Sequence, residues 1–309
     1  MFSVLFPGQG SQSIGMIKEL YDNFEYVKKM FNEADEVLKK PLSRIIFEGP
    51  KDILDLTENT QPAIFLASFS IFSVSKRETD FNLNEAKFFA GHSLGEYSAL
   101  AASEVISFEQ TLKLLNIRGK AMQSAVPKGE GGMLAVLGAE IDNINQIIDH
   151  NKNNFSCYVA NDNSLGQVVI SGKLKDLDMF SEELKKHKIK NIILPVSAPF
   201  HCKLMKPATE IMERELSLTE FNNPKNEIFS NVNALSTNDP TEIKKLLIKQ
   251  IENPVRWREI VVNMIKSKVT KFIEIGPGKV LSGLVKRIDR NVNIVQLNSI
   301  NDIKNLKND

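Results

Sequence analysis

One stretch, residues 86–101 (AKFFAGHSLGEYSALA), restricts the possible fold more than any other part of the chain. Its beginning is a short apolar run, which predicts a buried strand, and the residues after Gly95 are good helix formers. Residues 91–95 (GHSLG) lie between the two and form a G-x-S-x-G pentapeptide. A strand, a sharp turn and a helix in this order are the context of a nucleophile elbow.

Ser93 lies at the centre of this turn, and its predicted position gives it chemical meaning. The elbow raises the serine out of the sheet and places its hydroxyl at a helix N-terminus. Free backbone N–H groups and the helix dipole favour a developing oxyanion there. The alternative is a serine in an ordinary glycine-rich turn, and the flanking strand and helix favour the nucleophile.

Charge and composition exclude several classes of protein. The chain has 309 residues, with 39 Lys and Arg against 38 Asp and Glu, and this balance argues against a nucleic-acid-binding surface. Two cysteines do not make a metal cluster or a disulfide framework. The first residues have no basic segment and no long apolar stretch, and no run approaches the length of a membrane span. We therefore expect a soluble cytoplasmic protein that has no signal peptide and does not bind a membrane.

Strands alternate with helices over most of the chain, which predicts a mostly parallel sheet with helices on both faces. Residues 127–196 instead follow the order strand, helix, strand, strand, helix, strand, which is typical of a ferredoxin-like unit. Polar residues 161–164 are predicted to be the turn between its two middle strands. We predict an α/β fold in which an α/β-hydrolase-like large domain, residues 1–126 and 197–309, carries residues 127–196 as an inserted small domain.

Two helices and one histidine add to the candidate site. Gln61-Pro62 is predicted to begin a long helix, and Ser107 is predicted to cap the helix that contains Arg118. His201 follows a strand exit, where loops often carry catalytic residues, so it is a candidate base, with a purely structural histidine as the alternative.

Seven segments together resemble one family. They are FPGQGSQ, TQPA, GHSLGEYSAL, the helix of Arg118, SAPFH, QIENPVRW and EIGPGKVLSGL, in this order and with suitable spacing. Over nearly the whole chain they resemble the malonyl-CoA:acyl-carrier-protein transacylases of fatty acid synthesis. The resemblance implies an acyltransferase with malonyl-CoA and acyl carrier protein as substrates, with no bound cofactor or metal. The expected oligomeric state is a monomer.

The resemblance also implies the roles of the reacting groups. Ser93 would be the nucleophile and His201 its base, while Gln9 and the backbone N–H of Leu94 would form the oxyanion hole. Arg118 would pair with the malonyl carboxylate. An arginine suits that role, because its planar fork holds a carboxylate through two hydrogen bonds.

Three further residues are substrate-binding candidates. Gln250 is implied to lie beside the histidine, whose ring is oriented there by a backbone carbonyl rather than by a carboxylate. Phe200 precedes the base and is expected to pack against the acyl α-carbon. His92 lies inside the elbow, with simple packing as its alternative role.

Two other functions stay open from the sequence. A thioesterase or carboxylesterase on an α/β-hydrolase fold would share the elbow serine, but it usually has an acid between the serine and the histidine in chain order. No acidic residue in that interval lies in a convincing strand-end loop. A carrier-protein docking module with an inactive site is the second alternative.

Overall fold

The computed structural model of the chain describes residues 1–196 and 198–306. Ser197, at the start of the SAPFH segment and of the second part of the predicted large domain, lies outside the described residues. The strands in the described part are β1 (Phe2–Phe6), β2 (Phe88–Gly91), β3 (Gly131–Leu137), β4 (Cys157–Ser164), β5 (Gln167–Lys173), β6 (Lys190–Ile193), β7 (Glu227–Phe229), β8 (Ser236–Thr237), β9 (Lys271–Ile275) and β10 (Asn293–Leu297).

The helices in the same described ranges begin near the N-terminus and continue to the end of the chain. They are α1 (Lys18–Asn23), α2 (Glu25–Leu38), α3 (Leu42–Glu48), α4 (Lys51–Leu54), α5 (Thr57–Glu78), α6 (Gly95–Ala102), α7 (Phe108–Ser124), α8 (Ile141–His150), α9 (Leu174–Lys186), α10 (Lys206–Leu218), α11 (Pro240–Gln250), α12 (Trp257–Lys266), α13 (Val280–Ile288) and α14 (Ile300–Lys304).

The larger sheet has the strand order β10-β9-β1-β2-β7-β8, and all neighbours are parallel except β7 and β8. Alternate residues of a strand point to opposite faces. Along β1, Val4 and Phe6 belong to one hydrophobic cluster and Leu5 belongs to another. Both faces of the sheet are therefore buried under helices, as the alternating sequence pattern predicts for a mostly parallel sheet.

The smaller sheet has the order β4-β5-β3-β6, and every pair in it is antiparallel. Apolar residues of α8 and α9, such as Ile144 and Leu177, pack with Leu134 and Ile170 in a separate core. All four strands lie between β2 and β7 in the chain.

One prediction for the smaller sheet was wrong. Residues 161–164 do not form a turn, because they continue β4, and only residues 165–166 connect it to β5. Contacts with the rest of the protein explain this. The N–H of Asp162 donates to the carbonyl of Val255 at 2.9 Å, and the Asp162 carboxylate pairs with Arg258. Tertiary partners thus keep a polar, turn-like sequence extended.

The start of the long helix was also predicted wrongly. Helix α5 begins at Thr57, so Pro62 lies inside it. A proline has no N–H for the carbonyl four residues earlier, which belongs to Glu58. That carbonyl accepts instead from Lys40 Nζ at 3.0 Å and from Asn116 Nδ2 at 2.9 Å. Two side chains therefore replace the missing helical hydrogen bond.

Two features are absent from the residues that the structure describes. Within 1–196 and 198–306, no helix is both long and apolar enough to cross a membrane. The same ranges contain no group of three or more His, Cys, Asp or Glu side chains arranged to hold a metal ion.

Candidate active site

The turn between β2 and α6 is sharp, and two glycines make it possible. Ser93 has a φ of 54°, in the left-handed region. A Cβ on Gly91 would overlap the backbone of Gly95, and a Cβ on Gly95 would overlap the carbonyl oxygen of Phe6. Strand β2, helix α6 and the end of β1 are therefore closer together than any side chain permits, and Ser93 is held at the tip of the turn.

His201 lies directly beside this serine. Its Nε2 is 2.8 Å from Ser93 Oγ, and its Nδ1 is 2.8 Å from the backbone carbonyl oxygen of Gln250. A carbonyl can only accept, so Nδ1 carries the hydrogen and Nε2 is free to accept the serine proton. The geometry is that of a nucleophile with a positioned base.

Burial keeps this imidazole neutral. His201 is 3% exposed, and burial together with the positive charge of Arg118 lowers its pKa to about 3. The carbonyl of Gln250 acts in the opposite direction, but it is outweighed. A neutral histidine is the form that can remove a proton from Ser93.

Arg118 is a fully buried cation next to the serine. Its Nη1 donates to Gln61 Oε1 at 2.8 Å, and its Nη2 donates to Gln250 Oε1 at 2.8 Å and to Ser93 Oγ at 3.3 Å. None of the described residues pairs with it through a carboxylate in direct contact. Burial lowers the pKa of Arg118, while Tyr97 and Glu96 raise it. The guanidinium is held by neutral groups and is 1% exposed.

Sequence reasoning missed two residues behind the site, Glu96 and Asn231. Asn231 accepts the N–H of Ser93 at 2.7 Å and donates its amide to the carbonyl of Gly91 at 2.8 Å, so it braces both sides of the elbow. Glu96 Oε2 accepts from the N–H of Asn231 at 3.1 Å and from Gln250 Nε2 at 2.8 Å. Burial raises the pKa of Glu96 to about 7, although these donors and Arg118 lower it.

A cavity of about 160 Å³ opens in front of Ser93. The predicted site residues that line it are Gln9, His92, Ser93, Leu94, Arg118, Phe200 and His201. Gln250 does not line it, because its side chain is fully buried behind Arg118, although the sequence analysis counts it as substrate-binding. Gln61, Asn161 and Asn163 also line the cavity, and no motif singled them out for that position.

His92 connects the two sheets beside this cavity. Its Nε2 is 2.8 Å from Asn163 Oδ1, and its ring lies 5.6 Å from that of Trp257. An amide oxygen only accepts, so Nε2 carries the hydrogen. Burial lowers the pKa of His92, although the hydrogen bond with Asn163 opposes this, so burial favours the neutral ring.

The arrangement has three chemical parts. A serine with an adjacent neutral base can form an ester, the N-terminus of α6 can stabilise an oxyanion, and a buried guanidinium can bind a carboxylate. Together they suit transfer of an acyl group that carries its own negative charge.

Comparison with known proteins agrees with this chemistry. Residues 4–304 match the family described as "Acyl transferase domain". The chain is 44% identical over 296 residues to the malonyl CoA-acyl carrier protein transacylase of Bacillus subtilis, covering 94% of this chain and 91% of that protein. It is 39% identical to the transacylase of Haemophilus influenzae, covering 98% of this chain and 96% of that one.

Solved structures of similar proteins share the fold over almost the full length. The acyl-carrier-protein-S-malonyltransferase of Bartonella henselae is 40% identical with a TM-score of 0.95, covering 98% of this chain and 97% of that one. A malonyl-transacylase in complex with a type II PKS acyl-carrier protein is 37% identical with a TM-score of 0.94, with the same coverage of 98% and 97%.

Proposed function

The chain belongs to the acyl transferase domain family, and from that premise we propose that it moves a malonyl group from malonyl-CoA to the phosphopantetheine thiol of acyl carrier protein for fatty acid synthesis. Relatives at 37–44% identity over nearly the full chain carry the transacylase name, which supports this activity. The roles of the individual residues below are part of the proposal.

In the first half-reaction, Ser93 becomes a malonyl ester. His201 Nε2 takes the proton of Ser93 Oγ as the oxygen attacks the thioester carbonyl of malonyl-CoA. The N–H of Leu94, together with Gln9, stabilises the oxyanion. The C–S bond then breaks, and the CoA sulfur leaves with the proton from His201.

The second half-reaction reverses these steps on the other substrate. The phosphopantetheine thiol gives its proton to His201 and attacks the malonyl ester, and the bond to Ser93 Oγ breaks as the proton returns to the serine. The two substrates share one site in turn, so the kinetics are ping-pong. Every proton in this scheme moves through side chains of the chain itself, and we propose that no bound cofactor takes part.

One observation supports malonyl as the acyl group that the site transfers. Arg118 is buried beside Ser93, and the described residues offer it only neutral hydrogen-bond acceptors. A buried charge without an ionic partner is costly, and a substrate carboxylate supplies that partner. An acetyl group leaves the guanidinium unpaired. The site therefore discriminates in favour of an acyl group with a carboxylate.

The first prediction concerns this discrimination. In Arg118→Ala, kcat/KM for malonyl-CoA should fall by at least about 100-fold, because losing one partner of a buried charge pair costs roughly 3–5 kcal/mol. The value for acetyl-CoA should hold or rise, since Ser93 and His201 are unchanged. Transfer to acyl carrier protein is measured for both substrates, with circular dichroism to verify folding.

Controls separate this proposal from the alternatives. Ser93→Ala should form no malonyl adduct, as measured by mass spectrometry. In Arg118→Lys, kcat/KM for malonyl-CoA should lie between the values for Arg118→Ala and the native protein. An equal decline for both substrates in Arg118→Ala would contradict the carboxylate role. Release of free malonate in place of malonyl carrier protein would instead identify a hydrolase.

Finer assignments of fold, location and oligomeric state belong to the same proposal. The larger sheet with its elbow supports an α/β-hydrolase-like domain, and the order β4-β5-β3-β6 supports a ferredoxin-like small domain within residues 127–196. A cytoplasmic location and a monomeric state remain predictions from the sequence.

A further inference from the structure

The side-chain amide of Gln250 is hydrogen-bonded at both ends. Its oxygen faces Arg118 because its nitrogen donates to other groups. Its Oε1 accepts from Arg118 Nη2 at 2.8 Å, and its Nε2 donates to Glu96 Oε2 at 2.8 Å and to the carbonyl of Ser93 at 3.0 Å. An amide turned end for end would place a donor against the guanidinium, which has only donors. The orientation of this amide thus decides whether Gln250 offers Arg118 Nη2 an acceptor, in addition to Ser93 Oγ at 3.3 Å.

Glu96 accepts the shortest of the hydrogen bonds that fix this orientation, and Asn231 Oδ1 also accepts from Gln250 Nε2, at 3.4 Å. Glu96 lies in the first turn of α6 and is 1% exposed, and it is not among the residues that line the cavity. The backbone N–H of Asn231 also donates to its Oε2, at 3.1 Å. That oxygen therefore stays in one place and receives the amide nitrogen of Gln250.

We propose that Glu96 is a positioning residue for acyl-group selectivity: it orients the amide of Gln250, and that amide holds the Arg118 guanidinium where a substrate carboxylate meets it. The proposal rests on the proposed malonyl transfer. It assigns to Glu96 the role of a hydrogen-bond acceptor for Gln250. Its negative charge is not required for that role.

Two substitutions of similar volume separate the acceptor from the charge. Glu96→Gln removes the charge and keeps an oxygen that accepts from Asn231 and Gln250. Glu96→Met removes the charge and the acceptor, yet its unbranched side chain fills the same space. A difference between the two variants therefore reports the hydrogen bonds that Glu96 accepts from Asn231 and Gln250, and not its charge.

The expected results are ratios of kcat/KM for malonyl-CoA over acetyl-CoA, with acyl carrier protein as acceptor. Glu96→Met should lower this ratio by about 10- to 100-fold, the range for losing a hydrogen bond to a charged group. The loss should appear mainly as a higher KM for malonyl-CoA. Glu96→Gln should keep the ratio within about threefold of the native value, since its acceptor remains.

A matched control shows what lower stability alone does. Leu100 is fully buried in α6 one turn after Glu96, and Leu100→Val removes a methylene group without removing a hydrogen-bonding side chain. It should lower the melting temperature and leave the ratio unchanged. If Glu96→Met does not fold, Glu96→Gln still decides, because a collapse of its ratio would refute the acceptor role.

The outcomes distinguish this inference from the function on which it rests. If the ratio of kcat/KM for malonyl-CoA over acetyl-CoA is unchanged in Glu96→Met, with or without a loss of activity, the inference is overturned. The proposed function then still stands, provided that the native enzyme prefers malonyl-CoA. A native protein that transfers acetyl and malonyl groups equally well would overturn the proposed function itself.

Discussion

At the scale of the residue, His201 shows how strongly burial changes chemistry. An exposed histidine titrates near pH 6.5, whereas burial and Arg118 bring the pKa of His201 down to about 3. A base with an ordinary histidine pKa would give a rate that rises with pH near 6.5. Because the surroundings of the ring lower its pKa to about 3, we expect the rise in rate at a much lower pH.

A pH profile tests this shift. In the proposed mechanism His201 is a base only when neutral, so kcat/KM should stay level as pH falls through 6.5 and decline only well below it. In Arg118→Ala, assayed with acetyl-CoA, the decline should move up toward pH 6.5 because one cause of the low pKa is gone. Glu96 has a pKa of about 7, so both profiles are measured in the Glu96→Gln background. A decline near pH 6.5 in both proteins would contradict the shift.

At the scale of the element, helices α5 and α7 are joined through the carbonyl of Glu58. Pro62 leaves this oxygen without its helical donor, and Lys40 and Asn116 donate to it. A Cβ on Gly119 would lie 2.6 Å from Glu58 Cα, so the two helices also touch here. Gln61 precedes the proline, and Arg118 follows Asn116 by two residues. The junction therefore aligns the helix of Gln61 with that of Arg118.

The contact between α5 and α7 predicts that the stability lost on removing the two donors depends on which residue is at position 62. The double variant Lys40→Met with Asn116→Ala leaves the Glu58 carbonyl without these donors, and its stability should fall by about 1–3 kcal/mol. Adding Pro62→Ala should recover much of this loss, because an alanine at this position supplies the helical N–H that the proline lacks. Urea unfolding of the variants measures the difference. No recovery in the triple variant would mean that the carbonyl does not limit stability.

Local signals in the sequence were sufficient for some elements and not for others. Ser107 makes a capping box with Gln110, so four neighbouring residues are sufficient to predict the start of α7. Residues 161–164 have the composition of a turn, yet distant partners keep them in β4. Glu96 and Asn231 were missed for the same reason. Their importance lies in contacts across more than a hundred residues, which no local pattern contains.

At the scale of the whole molecule, one ion pair ties the smaller sheet to the larger unit. Asp162 in β4 is 1% exposed, and both of its oxygens accept from Arg258 Nε, at 2.9 and 3.1 Å. Arg258 Nη2 lies 2.8 Å from Asp162 Oδ2. Burial raises the pKa of Asp162, and Arg258 opposes that rise. The charged form of the buried Asp162 carboxylate is therefore stabilised by Arg258, which lies outside the smaller sheet.

The last prediction compares two neighbouring arginines. Arg258→Met should lower the free energy of unfolding by about 3–5 kcal/mol, because it strands a buried carboxylate. Arg256→Met, which removes the partner of the half-buried Glu259, should cost no more than about 1 kcal/mol. Urea unfolding of both proteins gives the comparison. In Arg258→Met, adding Asp162→Asn should restore part of the loss, and equal effects of the two single substitutions would contradict this account.

The position of β1 bears on how the protein is made. This strand lies between β2 and β9, and its partner residues in β9 are 271–274. A ribosome delivers β1 and β2 long before β9, so β1 keeps one unpaired edge until residues 271–275 have been synthesised. The backbone carbonyl of Gln250, which orients His201, is also synthesised late. A nascent chain therefore cannot hold His201 in this orientation beside Ser93 until residue 250 has been synthesised, and pairings this distant in sequence are slow to form.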